Sequence, residues 1–75
     1  MSKLPNISGK KLISLLGKIG FELIRVKGSH HFIKHKDGRV TVIPIHTKED
    51  LGPGILSKII KDIDLTKEDF IKLLD

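Results

Sequence analysis

The stretch Val26-Lys27-Gly28-Ser29-His30-His31-Phe32 puts a lysine, a glycine, a hydroxyl and two imidazoles within a few residues. Imidazole is the side chain best matched to proton transfer near neutrality, since its unperturbed pKa lies near ~6.5. Gly28 permits a sharp turn or a close approach of backbone to a ligand, and Lys27 supplies charge for a phosphate. The same residues would also make a plain polar turn entering a strand, with the histidines as decoration. The rest of the chain has to decide between the two.

Metal chemistry finds little support in the histidine spacings. His31 and His35 would be neighbours on a helix, but on a strand four residues span about 13 Å. Adjacent His30 and His31 point to opposite faces of a strand, and only Asp37 brings a carboxylate near them in sequence. No metal site and no cofactor are expected. The chain has no P-loop, nucleophile elbow or paired-carboxylate motif, so nucleotide hydrolysis, acyl transfer and glycoside cleavage lack a basis. RNA cleavage remains chemically open. RNA carries its own nucleophile, the 2′-hydroxyl, and needs only a proton acceptor or donor with cationic help at the phosphate. The same basic surface could instead hold double-stranded RNA by shape and phosphate contacts without cutting it. With no Trp or Tyr and three Phe, an aromatic platform for stacking single-stranded bases is disfavoured.

At 75 residues the chain is read as one domain, 1–75, and a domain of this size buries only roughly 60 % of its unfolded surface. A hydrophobic fraction of 39 % with 31 % charged residues fits a soluble globular fold rather than a disordered chain. The absence of cysteine excludes a disulfide framework and cysteine-ligated zinc. No apolar run approaches the ~18 residues of a membrane span, and the N-terminus lacks a signal-peptide core, so a cytoplasmic location is expected. The net charge of +5 is unevenly placed. Residues 1–48 hold ten basic and two acidic side chains, whereas residues 49–75 hold four basic and seven acidic ones. A cationic body of this kind suits a polyanion.

Pro5 opposes helix before it, so Met1–Asn6 reads as an extended lead-in. Ser8 is a helix N-cap, followed by Leu12, Leu15, Leu16 and Ile19 at the i, i+3, i+4, i+7 spacing of one helical stripe, and Gly20 ends that helix. Phe21–Val26 is a first strand and Gly28-Ser29 a turn. His30–Lys36 is a second strand, with His30, Phe32 and Lys34 on one face and His31, Ile33 and His35 on the other. Asp37-Gly38 predicts a tight hairpin into a third strand, Arg39–Ile45, where Pro44 implies an edge or a strand end. His46–Gly52 reads as a polar loop. Pro53 opens a second helix whose apolar stripe is Ile55, Leu56, Ile59, Ile60 and Ile63. Thr66 with Asp69 resembles a capping box before a short last helix marked by Phe70, Leu73 and Leu74. The expected fold is α+β, in the order α-β-β-β-α(-α), with a three-stranded antiparallel sheet and the helices on one face.

In their order and spacing these pieces resemble the HicA-type toxins of bacterial and archaeal toxin–antitoxin pairs. The resemblance runs through Ser8-Gly9-Lys10-Lys11-Leu12-Ile13, Gly20-Phe21-Glu22 and Lys27-Gly28-Ser29-His30-His31. It continues with Val42-Ile43-Pro44-Ile45-His46, Gly54-Ile55-Leu56 and Ile59, and ends in Asp69-Phe70. Many members have Thr where this chain has Ile55. The resemblance implies a double-stranded-RNA-binding-domain-like fold and a ribosome-independent messenger-RNA endonuclease inhibited by a HicB-type antitoxin. It implies that His30, the first histidine of Gly-Ser-His, is catalytic, as general base or acid. His46 matches a second recurrent histidine, whereas His31 and His35 are read as non-catalytic. Lys10, Lys11, Lys27 and Lys34 are the expected phosphate contacts. Gly28, Ser29 and His46 complete the expected RNA-binding set. The expected partners are mRNA and the antitoxin, the chain being a monomer alone or a hetero-oligomer with that antitoxin. An RNA-binding module without hydrolysis, and an inert homologue kept for protein interaction, are the alternatives.

Overall fold

The computed structural model describes residues 4–46 and 49–74. The start of the extended lead-in, Met1–Lys3, and residues 47 and 48 of the polar loop lie outside them. Ser8 caps the first helix as its sequence position demands. Its side chain accepts a hydrogen bond from the Lys11 N–H at 3.1 Å, which satisfies one of the unpaired amides of the first turn. Helix α1 (Gly9–Gly17) buries Leu12, Leu15 and Leu16. It stops at Gly17 rather than running to Gly20; residues 18–20 form a turn, and Gly20 adopts φ +99° before the first long strand.

Strands β2 (Phe21–Lys27), β3 (His30–His35) and β4 (Val40–Pro44) form the antiparallel meander, in the order β2-β3-β4. Pro44 closes β4, itself an edge strand, where the missing N–H costs no ladder bond. The β3–β4 loop differs from a two-residue Asp-Gly hairpin. Gly38 donates to the His35 carbonyl at 2.9 Å and the His35 N–H to the Arg39 carbonyl at 2.8 Å. With Gly38 at φ +104° and Asp37 outside the positive range, this is a three-residue loop of a turn followed by a bulge.

Helix α2 (Pro53–Asp62) begins with Pro53 after Gly52 and ends where Asp64 takes φ +59°. There the Leu65 N–H reaches back to the Ile60 carbonyl and the Asp64 N–H to the Lys61 carbonyl, both at 3.1 Å. These paired bonds satisfy carbonyls of the last turn that would otherwise be orphaned. Helix α3 (Lys67–Leu74) starts on Thr66, whose hydroxyl accepts from the Asp69 N–H at 3.0 Å, and it delivers Phe70 fully buried.

The core is a single cluster on one face of the sheet. Phe21, Ile33 and Ile43 meet Leu12, Leu15 and Leu16 of α1, Leu56, Ile59 and Ile60 of α2, then Ile63 and Phe70. Two further features depart from the sequence reading. The lead-in and the polar loop contain a second small sheet, in which β1 (Ile7–Ser8) pairs antiparallel with β5 (Asp50–Leu51). It buries Ile7 and Leu51 and ties the two ends of the meander together. Ile55, assigned to the buried stripe of α2, is 47 % exposed because the core-facing arc of that helix is centred on Leu56 and Ile59–Ile60. Among the described residues, no helix is long and apolar enough to cross a membrane.

Leu56→Ala should therefore cost about 2–5 kcal/mol, through lost transfer energy and a residual cavity. Ile55→Ala should cost under about 1 kcal/mol, as surface substitutions do. Urea unfolding of both variants checks this, and equal losses would return Ile55 to the core.

Candidate functional site

Lys27 and His30 are the last and first residues of two antiparallel strands joined by Gly28-Ser29, and they stand directly opposite each other. Gly28 has φ +60° while Ser29 lies outside the positive range, the combination of a two-residue turn with glycine first. Because Ile33 is sunk in the core, period-two alternation turns His30, Phe32 and Lys34 to the outer face of the sheet. His30 is exposed there, beside Pro44 of β4.

Several elements converge on this end of the sheet. The Ile45 N–H donates to the Ser29 carbonyl at 2.8 Å, which anchors the exit of β4, and so the backbone leading to His46, to the turn. Gly9 abuts the Pro44 carbonyl so closely that a Cβ there would lie 2.7 Å from the oxygen. The first turn of α1, with exposed Lys10 and Lys11, therefore starts at the same end. Helix α2 is oriented likewise. Thr41 at the far end of β4 donates to Asp62 Oδ2 at 3.3 Å. Ile55, seven residues earlier and roughly 10 Å along the helix axis, lies toward Pro44. Both long helices thus direct their N-termini, where unpaired amides favour anions, to the end that carries Lys10, Lys11, Lys27, Gly28, Ser29, His30 and His46. Lys34 is not brought together with them. It sits four residues along β3, about 13 Å away, in a separate shallow depression with Gly20, Glu22 and His35.

His30 opens onto a groove of ≈ 690 Å³ between the outer face of the sheet and α2. Phe32, Val40, Val42 and Pro44 line one side, and Ile55, Lys58, Ile59 and Asp62 the other. The helix wall was not anticipated from the sequence. Its signal was nevertheless present, since residues 55, 58, 59 and 62 fall at i, i+3, i+4 and i+7, a second stripe beside the apolar one.

The other two strand histidines occupy the opposite face and are engaged in structure. Nδ1 of His31 donates to the Ser29 carbonyl at 3.1 Å. His35 donates from Nε2 to the Ile19 carbonyl at 2.9 Å and accepts the Asp37 N–H at Nδ1 at 3.1 Å. Its ring also meets Phe21 edge-on at 5.0 Å. Arg39 closes the cluster, bonding the Ile63 carbonyl at 2.6 Å and Asp37 Oδ2 at 2.8 Å while lying over Phe21. The hydrogen bond from the Arg39 backbone N–H holds the Asp37 carboxyl below its usual range, opposed by desolvation and aided by the hydrogen bond and charge of the Arg39 guanidinium. Among the described residues, no three His, Cys, Asp or Glu side chains converge as a metal site would require.

Fold and site together define a small basic α+β domain that presents an imidazole at the mouth of a solvent-open groove. Residues 9–65, more than half of the chain, match the family described as the HicA toxin of bacterial toxin–antitoxin pairs. The chain belongs to the HicA toxin family, and membership implies an antitoxin partner. No curated protein matches the chain.

His35→Ala should destabilise the fold by about 1–3 kcal/mol, because it leaves the part-buried Ile19 carbonyl without its donor and removes the ring packed on Phe21. Asp37 has a depressed folded pKa, so its contribution is present above the unfolded carboxylate value and disappears as pH falls through the lower folded value. Asp37→Asn should accordingly be less stable than the parent near neutral pH, and the two should converge in strong acid. A constant difference across that range, followed by urea unfolding, would contradict the assignment.

Proposed function

We propose that this toxin is a metal-independent messenger-RNA endonuclease acting in the cytoplasm, with His30 as the proton-transfer group, and that a HicB-type antitoxin silences it by covering the His30 region. The observation that carries the reading is the exposed His30 imidazole, held by a rigid hairpin directly across from Lys27 at the cationic end of the sheet.

The reaction needs little more. His30 takes the proton of a ribose 2′-hydroxyl as its oxygen attacks the adjacent phosphorus. The bond to the 5′-oxygen breaks, that oxygen is protonated from solvent, and a 2′,3′-cyclic phosphate is left on one product. Lys27, with Lys10 and Lys11 at the start of α1, balances the charge that develops on the phosphoryl oxygens. The groove beyond His30 accommodates the nucleotide next to the cut, with Lys58 available to a flanking phosphate.

His30→Ala should lower the cleavage rate of labelled RNA by ~10²–10⁴-fold, the usual contribution of a positioned base, with fold and RNA affinity little changed. Lys27→Ala should instead weaken binding and flatten its salt dependence, because each lost phosphate contact removes a released counterion. RNA with a 2′-deoxy residue at the cut should resist cleavage, and chelator should leave activity intact. Normal cleavage by His30→Ala would transfer the role to His46. Binding of RNA by the parent protein without any cleavage would leave the RNA-binding module as the better reading.

A further inference from the structure

Among the described residues, strand β2 is the one long element that the fold leaves open. It is an edge of the sheet, and of its seven residues only Phe21 is buried. Leu23, Ile24 and Val26 are 49 %, 56 % and 52 % exposed. An uncharged, unpaired apolar edge is a template for a further strand, and such edges are commonly blunted by charge, proline or a covering loop. Here the charges are arranged in a way that selects the partner. We propose that β2 is a self-association edge, on which a second copy of this chain adds its own β2 antiparallel across a two-fold axis.

The register follows from the bulge. Between Leu23 and Arg25 the pairing with β3 slips by one residue, leaving Ile24 without a partner. As a result Phe21, Leu23 and Val26 face the helices, whereas Glu22, Arg25 and Lys27 face outward. In an unbulged strand, residues an odd number apart never share a face; here Glu22 and Lys27 do, and so do Leu23 and Val26. One antiparallel register therefore matches faces throughout. It sets Glu22 of each copy opposite Lys27 of the other, and Leu23 opposite Val26.

The backbone agrees with that register. The two-residue turn makes Lys27–His30 a hydrogen-bonded pair, so alternation leaves the N–H and C=O of Val26 pointing away from β3. On unbulged β3 the same alternation makes Phe32 and Lys34 the bonding positions toward β2. Their partners Arg25 and Glu22 thus point inward, and Leu23, opposite Ile33, points out. Leu23 and Val26 are the outward-bonding residues that the register places together, and their exchange of N–H···O bonds would extend the sheet to six strands. The two Leu23–Val26 pairs would form one apolar cluster on the helix side. Both His30 grooves would lie on the opposite side of that continuous sheet.

The association is weak by construction. Edge pairing alone buries less than the roughly 1,200 Å² of a stable interface, and the charge of +5 on each copy opposes it. Sedimentation equilibrium on the purified protein, in a series reaching the millimolar range, should show a discrete monomer–dimer equilibrium. Val26→Lys should abolish it with the circular-dichroism spectrum unchanged, and Leu23→Lys serves as a second probe if that variant folds poorly. Glu22→Lys and Lys27→Glu should each weaken the dimer about tenfold or more, since each turns two attractive pairs into two repulsive ones. An equimolar mixture of those two variants should recover it, because both cross-strand pairs are again attractive. Overall charge alone would give another pattern, in which Glu22→Lys weakens association and Lys27→Glu strengthens it. That pattern, failure of the mixture, or a parent that stays monomeric throughout would overturn the proposal. Loss of antitoxin binding in these variants, with a parent that never self-associates, would assign the edge to the antitoxin instead.

Discussion

Ile33 sets the face of everything around it. Buried between the helices and paired with Leu23 on one side and Thr41 on the other, it fixes which edge of each pleat meets the core. A slip of one residue in β3 would drive Phe32 into the helices and turn Ile33 to solvent, so the register is strongly specified. His30 is three residues before Ile33, an odd offset, and is therefore on the outer face. His31 and His35 are at even offsets and share the core side. The chemical difference among three imidazoles in one short strand is thus decided by burial of a residue that has no chemistry of its own.

Burial alone, however, would leave His30 on an open sheet. What makes a site of it is the meeting of elements at one end: the Ser29 carbonyl holding Ile45, Gly9 packed on the Pro44 carbonyl, and α2 running back from Asp62 at Thr41 toward Ile55. Each contact joins segments far apart in sequence, and together they bring two helix N-termini and most of the predicted lysines to the same side. The β1–β5 pair reinforces this by closing the chain around the meander. Loosening any of these contacts would leave His30 chemically unchanged but without its cationic surroundings.

Much of this was legible in the sequence because it is local. The Ser8 cap, the Pro53 start, the Thr66 cap and the alternation of β3 and β4 each rest on a few adjacent residues with a period or a turn chemistry. The β1–β5 pair was not legible, since two-residue strands carry no period and their pairing spans more than forty positions. Ile55 was misplaced for a related reason. Helical spacing identifies an apolar arc but not its centre, which depends on where the sheet lies, and Leu56 rather than Ile55 faces it. The β2 bulge escaped as well, because the imperfect alternation of residues 21–26 reads only as a weak strand. Of the site, the hairpin was visible as a motif, whereas the helix wall of Lys58 and Asp62 exists only once α2 is docked beside β4.

The charge distribution gives the groove a direction. Of the acidic residues in the second part of the chain, Asp62 and Asp64 are exposed at the C-terminal end of α2 and Glu68 and Asp69 follow in α3, whereas Glu49 and Asp50 precede α2, Asp50 lying opposite Ser8. Asp62 stands by Thr41, at the end of the groove away from His30, with Lys58 one helical turn nearer to it. A polyanion laid along the groove would meet attraction at the hairpin and at Lys58, then repulsion at Asp62. At physiological ionic strength such fields are screened within about 8 Å, so the two ends act separately rather than averaging. The favourable path for a phosphate backbone therefore crosses the hairpin end, past Lys27 and the start of α1, and leaves before Asp62. That path passes His30, the one exposed imidazole on the outer face of the sheet among the described residues.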